Sequence, residues 1–248
     1  MRGEVALVTG ALSGIGRATA VAFAKRGANV VVAGRDEAKG AKFADELRAL
    51  GVEASYRNCD VRYEDQIAAL VDHAVERFGK ISFAVNNAGT DGASLPLVEH
   101  TAETYAEAFD INARGTLLAM KYEMLAMAKT GGGSIVNLSS TMAFRGRPGL
   151  GIYCASKGAV EGLTRVGAIE GAPMGIRVNA IAPGQIDSPM LDRVASTRGG
   201  KEHIAAGPPM KRLGTPEEAA ELIIFLASPA ASYVTGQSVA IEGGRLAM

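Results

Sequence analysis

The chain has 248 residues, which is long enough for one large α/β domain with a well-buried core. Lysine plus arginine and aspartate plus glutamate both number 26, so the formal net charge is zero, which disfavours a nucleic-acid binder. Two cysteines provide no disulfide framework, and no apolar stretch approaches the roughly 20 residues of a membrane helix. We therefore expect a cytoplasmic protein that has no membrane partner.

Short β-branched runs alternate with longer helical patterns along the whole chain. The predicted strands are residues 5–8, 30–32, 53–58, 81–85, 134–138, 177–181 and 238–241. The predicted helices are residues 15–26, 37–50, 64–78, 102–127, 155–171 and 216–226. This alternation predicts the α/β fold class, with a doubly wound, mostly parallel seven-stranded sheet and helices on both faces, in a single domain of residues 1–248.

The first predicted strand runs into a glycine-rich turn, Thr-Gly-Ala-Leu-Ser-Gly-Ile-Gly at residues 9–16, which precedes a helix. Glycines let the backbone approach a phosphate closely, and the helix N-terminus offers free N–H groups. The spacing departs from the general Gly-x-Gly-x-x-Gly fingerprint, and an ordinary glycine turn is the alternative. The position after the first strand favours a dinucleotide cofactor, held by Gly10, Ser13, Gly14, Ile15 and Gly16.

Tyr153 and Lys157 stand four residues apart on a predicted helix, and Ser140 lies thirteen residues before the tyrosine. Residues four apart share a helix face, so we expect the Lys157 ammonium beside the Tyr153 phenol. A cation about 6 Å away lowers the pKa of a phenol by about two units, towards the range of a general acid or base. Ser140 could hold a substrate oxygen, although Tyr-x-x-x-Lys alone is also common on helix surfaces.

The polar connection at residues 187–209 is long for a compact domain, and we expect it to be a loop that covers the substrate. The other predicted pocket positions form a mainly apolar cleft: residues 91–95, 141–144, 150 and 185–190. Arg145 and Arg147 either bind an anion or belong to a solvated loop.

The remaining candidate side chains suggest no further chemistry. Cys154 follows the tyrosine but has no evident histidine partner, so it is interpreted as a packing residue. His73, His100 and His203 are scattered without metal-ligand spacing, so we predict no metal site. His203 lies in the predicted loop, where it could contact substrate.

Several markers recur in a fixed order along the chain: residues 9–16, Asp60, Asn86-Asn87-Ala88-Gly89, Asn112, Ser140, Tyr153 with Lys157, and Pro183-Gly184. With this ordered set the chain resembles the short-chain dehydrogenase/reductase family over essentially its full length. The resemblance implies a Rossmann-type fold and hydride transfer between a nicotinamide cofactor and a ketone or secondary alcohol. The chain departs from the family at Ser188, where threonine is common, and at Glu242, where aspartate is usual.

The resemblance also implies roles for individual residues. Asn112, Ser140, Tyr153 and Lys157 form the catalytic set, in which Asn112 bends its helix and positions a water in a proton relay with Lys157. The implied cofactor contacts are Asp60 and Val61 on the adenine, Asn87, Ala88 and Gly89 along the cofactor, Tyr153 and Lys157, and Pro183, Gly184, Ile186 and Ser188 around the nicotinamide. Plain turns are the alternative for Asp60 and for the asparagine–glycine segment.

The end of the second strand bears on the choice between NADP(H) and NAD(H). Asp36 has the spacing of an acid that binds the ribose 2′-hydroxyl of NAD. Family members that prefer NAD, however, place that acid at the strand tip, where this chain has Gly34. Arg35 can meet a 2′-phosphate, and Asp36 then starts the next helix as its cap. We favour NADP(H), with NAD(H) as the alternative.

The predicted function is that of an oxidoreductase acting on a small-molecule ketone or alcohol. Reduction of 3-oxoacyl groups, oxidation of sugars or polyols, and oxidation of cyclic or steroid alcohols all remain open. A cofactor-binding scaffold or regulator without catalysis is the alternative from another class. The resemblance further implies a homotetramer, in which helices 102–127 and 151–174 pack against their mates.

Overall fold

The computed structural model describes residues 1–196 and 199–248, and its central element is one parallel sheet. The strands are β1 Val5–Val8, β2 Asn29–Gly34, β3 Ala54–Asn58, β4 Phe83–Asn86, β5 Gly133–Leu138, β6 Ile176–Pro183 and β7 Ser238–Ile241. Their order across the sheet is β3-β2-β1-β4-β5-β6-β7. The prediction of seven strands is confirmed, and every pairing in the sheet is parallel.

Helices cover both faces of this sheet. They are α1 Gly14–Lys25, α2 Glu37–Arg48, α3 Glu64–Phe78, α4 Ala102–Phe109, α5 Gly115–Ala128, α6 Gly151–Gly171, α7 Pro189–Ser196, α8 Gly200–Ala205 and α9 Pro216–Ala227. Alternate strand residues enter two separate cores, because successive side chains of a strand point to opposite faces. Val8 packs with α1, α2 and α9, whereas its neighbour Leu7 packs with α3, α5 and α6. The chain is thus one doubly wound domain.

The functional edge of the sheet follows from the strand order. The chain builds β1, β2 and β3 in one direction and then returns to place β4 on the other side of β1. In open parallel sheets the carboxyl ends of the strands on either side of such a reversal leave a crevice that binds ligands. The glycine turn after β1 and the Asn87-Ala88-Gly89 segment after β4 both lie at this crevice.

The predicted helix at 102–127 is interrupted by a π-helical turn at Asp110–Arg114, which lies between α4 and α5. Thr116, in the first turn of α5, donates its hydroxyl to the Asn112 carbonyl at 2.8 Å, while the Asn112 side chain bonds to groups outside the helix. A π turn inserts a residue and is common at functional sites. The bend that the resemblance implied at Asn112 therefore takes the form of a π turn.

The predicted substrate-covering segment at 187–209 contains two short helices, α7 and α8, which the sequence pattern did not indicate. Its covering role stays a prediction. Thr197 and Arg198 lie outside the described residues. Lys201 of α8 links α8 to α7 and to the residues before it, because its ammonium lies 2.6 Å from the carboxylates of both Asp187 and Asp192. A parallel bridge between Ile186 and Gly214 closes the base of the segment.

Among the described residues, no helix is both long enough and apolar enough to cross a bilayer.

Candidate active site

Asn87 ties the glycine turn to the end of β4. Its amide nitrogen donates to the carbonyls of Thr9 at 3.0 Å and Gly10 at 2.8 Å. Gly10 has a φ of +60°, and a Cβ atom there would lie 2.8 Å from the Ala88 Cα, so only glycine allows this approach. Ser13 caps α1 without a side-chain hydrogen bond, which leaves its hydroxyl and the first-turn N–H groups for a ligand.

Asn112 holds the next stretch of the β4 loop. Its Oδ1 accepts from the Thr90 N–H at 2.9 Å, and its Nδ2 donates to the Thr90 carbonyl at 2.9 Å and to the Ser156 hydroxyl at 2.9 Å. The side chain is buried, so each of these bonds replaces one to water. A Cβ atom on Gly89 would lie 3.2 Å from the Asn112 Oδ1 and 3.4 Å from the Lys157 Nζ. Asn112 and Lys157 therefore converge on the backbone of Gly89.

Tyr153 and Lys157 lie on α6 with the geometry that their spacing predicts. The Lys157 Nζ is 5.9 Å from the centroid of the Tyr153 ring and donates to the Leu138 carbonyl at 2.7 Å. Ser140 follows β5 and caps the turn Thr141–Ala143, where its Oγ accepts from the Met142 N–H at 3.1 Å. That bond uses an acceptor site of the hydroxyl, so its proton remains available to another oxygen.

The expected pKa shift of Tyr153 is wrong in sign. Desolvation by burial raises the pKa of the Tyr153 phenol, while the nearby Ser140 hydroxyl acts in the opposite direction. Burial also lowers the pKa of the Lys157 ammonium to about 8, and the charge of Glu161 partly opposes that shift. The prediction counted the attraction between ammonium and phenolate but omitted the loss of water around both groups, which is the larger effect here.

One cavity of about 200 Å³ joins the predicted catalytic residues to the end of the sheet. It brings together many of the predicted site residues: Ile15, Asn87, Gly89, Ser140, Tyr153, Lys157, Pro183, Gly184, Ile186 and Ser188. Its other lining side chains include Leu138, Met142, Leu150, Met190, Leu191 and Val194, so the predicted apolar cleft is present. Phe144 and Arg145 do not line it, and Phe144 is exposed instead.

The geometry fits a dinucleotide cofactor. The glycine-rich turn leads directly to a cavity that is lined by the helix-start residue Ile15 and by the tyrosine–lysine pair. The turn and the first-turn N–H groups of α1 suit a pyrophosphate, and the polar groups around Tyr153 suit the nicotinamide end. The glycines that form this turn are Gly10, Gly14 and Gly16.

The residues predicted for the adenine end lie apart from this cavity. Arg35 is exposed just beyond the tip of β2. The Asp60 carboxylate is held by the Arg62 guanidinium, with the closest atoms 2.6 Å apart, and that contact lowers the pKa of the Asp60 carboxyl group. Val61 is buried against Gly115, where an added Cβ atom would lie 3.0 Å from the Val61 Cγ2.

Some residues at the site escaped the sequence analysis. Thr90 binds Asn112 through its backbone, which no residue-type pattern reveals. Ser139 lines the cavity with a buried hydroxyl that has no hydrogen-bond partner among the described residues. Its position beside Ser140 was the only available signal. Ser156 lies within the Tyr-x-x-x-Lys segment and was passed over as a spacer.

The other singled-out residues make local contacts. The Cys154 thiol lies 3.6 Å from the Arg145 carbonyl, in keeping with a packing role. His73 bonds to the Ser55 hydroxyl at 3.0 Å, and His100 bonds to the Thr104 hydroxyl at 3.2 Å. Within the described part of the chain, no three histidine, cysteine or acidic side chains gather as a metal site would require.

Comparisons with known proteins identify the family of this chain. The family model described as enoyl-(acyl carrier protein) reductase matches residues 10–245. The chain is 43% identical to 2,5-dichloro-2,5-cyclohexadiene-1,4-diol dehydrogenase of Sphingobium indicum, covering 98% of this chain and 97% of the relative. It is 42% identical to cis-4-hydroxycyclohexanecarboxylate dehydrogenase of Sinomonas cyclohexanicum, and the match covers 99% of this chain and 97% of that relative.

A solved structure has a backbone that is closely similar to that of this chain. Actinorhodin polyketide ketoreductase with NADPH has a TM-score of 0.93 and 38% identity to this chain, covering 98% of it and 97% of the ketoreductase. Relatives named for oxidation of cyclic alcohols and a neighbour named for reduction of a ketone share the reversible chemistry of CH–OH groups. With the sheet, the glycine turn and the tyrosine–lysine pair all in place, the chain belongs to the short-chain dehydrogenase/reductase family, as an oxidoreductase that acts on alcohols or ketones.

Proposed function

We propose that the protein transfers a hydride reversibly between NADP(H) and a cyclic ketone or secondary alcohol, with Asn112, Ser140, Tyr153 and Lys157 as its catalytic set. The observation that carries this proposal is the single cavity in which Ser140, Tyr153 and Lys157 meet apolar side chains and the start of α1. The cyclic substrate is inferred from the names of the two relatives, both of which are dehydrogenases of six-membered rings.

The residues of this chain manage the substrate oxygen and its proton. In the direction of reduction, Tyr153 donates its phenolic proton to the oxygen, and its raised pKa keeps that proton in place at neutral pH. Ser140 donates a second hydrogen bond to the same oxygen and stabilises the developing charge. Lys157 is mostly protonated below its pKa of about 8 and favours the phenolate that remains. Asn112 holds the Gly89 backbone beside Lys157 and would complete the proton path to solvent.

When bound, the nicotinamide supplies or accepts the hydride at the substrate carbon. Gly10, Ser13, Gly14, Ile15 and Gly16 would hold its pyrophosphate, and Asn87, Gly89, Lys157, Gly184 and Ile186 would surround its nicotinamide end. Asp60 and Val61 remain the proposed adenine contacts. The apolar side chains that line the cavity with Tyr153 would limit the access of water to the reacting atoms.

The preference for NADP(H) is proposed from the end of β2. The Asp36 carboxylate is already engaged, because it caps α2 by accepting from the Lys39 N–H at 3.0 Å and pairs with the Lys39 ammonium at 3.3 Å. Arg35 is exposed and lies close enough to Asp60 to lower the pKa of that carboxyl group. An exposed guanidinium without an adjacent free carboxylate at the strand tip suits a 2′-phosphate.

Arg35→Ser tests the cofactor preference. We expect kcat/KM for NADP(H) to fall by about tenfold or more and that for NAD(H) to change less than twofold, because a charged hydrogen bond to phosphate is lost. Lys42→Ser is the control, since Lys42 is exposed on the same side of the sheet but lies on the body of α2. A wild-type protein that clearly prefers NAD would reject the assignment of Arg35.

Turnover itself is tested by following absorbance at 340 nm with cyclohexanol and cyclohexanone, each with both cofactors. Oxidation of the alcohol and reduction of the ketone are both expected, because the step is reversible. Activity with open-chain 3-oxoacyl thioesters and none with the rings would replace the proposed substrate class while leaving the reaction type intact. No turnover of any alcohol or ketone with either cofactor would reject the proposed reaction.

A further inference from the structure

A second cavity, of about 560 Å³, opens beside the catalytic one, between α8 and the C-terminal turn Arg245–Ala247. Arg147 and Gln185 line both cavities, so the two spaces meet at these side chains. His203, Ile204 and Arg245 complete much of the second lining, together with small residues. Among the described lining residues there is no aspartate or glutamate, so the charged groups of this cavity are all basic.

The neighbouring cations of the covering segment are neutralised by carboxylates. Arg193 pairs with Asp91 at 3.0 Å, and Lys201 pairs with Asp187 at 2.6 Å. Within the described residues, neither His203 nor Arg245 takes part in any salt bridge. The Arg245 guanidinium therefore brings to this cavity a positive charge that makes no salt bridge with the acidic side chains of the described residues.

The backbone makes room for the Arg245 guanidinium. Gly207 lies against it, and a Cβ atom at that position would clash with the Nη1 atom and lie 3.3 Å from the Cζ atom. On the opposite side, the Arg147 carbonyl accepts from the Leu150 N–H at 3.1 Å, which turns the chain six residues before Tyr153. Arg147 is thus attached to the start of the helix that carries the catalytic tyrosine.

The donors around this cavity suit an anionic oxygen. Guanidinium groups bind carboxylate and phosphate with paired, parallel hydrogen bonds, and they carry their charge at every relevant pH. The buried Oε1 of Gln185 has no hydrogen-bond partner among the described residues, and a half-turn of this amide presents its NH₂ group instead. Met142, Leu150 and Leu191 line the catalytic cavity beside it and suit an apolar ring.

We propose that the second cavity is a substrate subsite for an anionic group, a carboxylate or a phosphate, attached to the ring whose C–OH or C=O carbon lies at Tyr153. Arg147, His203 and Arg245 hold the anionic oxygens, and the apolar cavity holds the ring. The inference rests on the proposed oxidoreductase function, and it names the class of substrate for that site.

The test compares substrates that differ only in charge: cyclohexanol, cis-4-hydroxycyclohexanecarboxylate and the methyl ester of that acid. We expect the wild-type kcat/KM to be at least tenfold higher for the acid than for the ester. In Arg245→Gln, the value for the acid falls by about tenfold or more, whereas cyclohexanol changes less than twofold, because one charged hydrogen bond is removed. Lys42→Gln removes a charge from α2, away from both cavities, and leaves all three substrates unchanged.

Equal losses on charged and neutral substrates in Arg245→Gln would assign Arg245 a structural role and overturn the inference. A wild-type protein that turns over the ester as well as the acid would also overturn it. Calorimetry measures the affinity of wild type and of Arg245→Gln for cyclohexanecarboxylate and for cyclohexyl phosphate. This measurement distinguishes the two anions and does not depend on turnover. If no alcohol is oxidised, the proposed reaction fails; if neither anion binds, or Arg245→Gln binds both as tightly, the subsite fails.

Discussion

Tyr153 and Lys157 show how burial affects the charge of the proposed catalytic pair. Burial raises the pKa of the phenol and lowers the pKa of the ammonium to about 8, so each group is pushed towards its neutral form. A tyrosine in this state is a proton donor at neutral pH. The lysine retains enough charge below pH 8 to stabilise the phenolate once the proton has left.

Tyr153→Phe should reduce kcat for either direction by at least about a thousandfold, because the proton donor is removed while the ring still fills its place. Affinity for the cofactor should change less than threefold, as measured by fluorescence titration. Tyr233→Phe is the matched control, since that side chain is fully exposed and lies outside the cavity. Turnover that survives in Tyr153→Phe would mean that another group supplies the proton.

Glu123 is a buried carboxyl group that the reaction does not use. It lies on α5, and its Oε2 accepts from the Asn86 Nδ2 at 3.0 Å. The Glu123 Oε1 and the Asn86 Oδ1 are both buried, and neither has a hydrogen-bond partner among the described residues. Burial raises the pKa of Glu123 to about 7, and a proton on its Oε1 would give this amide–acid pair the donor that it lacks.

The stability of the protein should therefore depend on pH through Glu123. Its folded pKa of about 7 lies above the ordinary glutamate pKa of 4.5, so the folded state binds a proton that the unfolded state releases between these pH values. Wild-type stability then falls as pH rises from 4.5 to 7, by up to about 3 kcal/mol from this group alone. The glutamine of Glu123→Gln stays neutral at every pH. Urea unfolding at pH 5 and pH 8 should therefore show that the free energy of unfolding of this variant, relative to wild type, is higher at pH 8 than at pH 5.

Glu170→Gln is the control for that comparison, because Glu170 is exposed near the end of α6 and should leave the pH dependence of unfolding unchanged. Parallel pH profiles for wild type and Glu123→Gln would contradict the protonated pair.

At the scale of an element, the π turn between α4 and α5 places Asn112. A regular helix through these residues would repeat every 3.6 residues, and the inserted π turn changes the direction in which Asn112 points. The result is a side chain that bonds to the β4 loop through Thr90 and to α6 through Ser156. Asn112 thereby links the loop after β4 to the helix that carries Tyr153.

Asn112→Ala should remove all three of these side-chain hydrogen bonds and lower the free energy of unfolding by about 2–3 kcal/mol. We expect kcat to fall as well, since the Gly89 backbone beside Lys157 loses its support. Ser156→Ala removes one of the bonds and should cost about 1 kcal/mol. Thermal unfolding and steady-state kinetics measure the series; equal stability of wild type and Asn112→Ala would show that these bonds do not hold the loop.

At the scale of the whole molecule, α6 presents an unusual outer face. Val166 and Ile169 are 52% and 74% exposed, although both are apolar. Gly158 and Gly162 lie on the same helix, and a Cβ atom on either would meet no atom within 4 Å. A flat helix surface with exposed apolar side chains at one end favours contact with a helix of another subunit. The homotetramer stays a prediction, and we propose α6 as its contact surface.

Ile169→Glu should dissociate that assembly, because an unpaired charge would be buried at the contact. Light scattering should report a larger species for wild type and a smaller one for the variant. Tyr233→Glu is the control, since Tyr233 is as exposed but lies off α6. A wild-type protein that sediments as a monomer at micromolar concentration would reject the tetramer.

The alternation of β-branched and helical segments was sufficient to predict the sheet, because local hydrophobic period and turn chemistry depend on neighbours in sequence. The same local patterns did not predict the π turn at Asp110–Arg114 or the helices in the 187–209 segment. The π turn has a partner distant in the chain, since Asn112 binds Thr90, and so does α7, since Arg193 pairs with Asp91.

The sequence alone determined the fold class and the tyrosine–lysine geometry, since both follow from short-range spacing that the helix and strand periods translate directly into position. Only the tertiary structure decided the sign of the Tyr153 pKa shift and the neighbourhood of Arg147, His203 and Arg245. Solvent exclusion and the meeting of residues from separate elements depend on how the whole chain packs, and no local pattern encodes either of them.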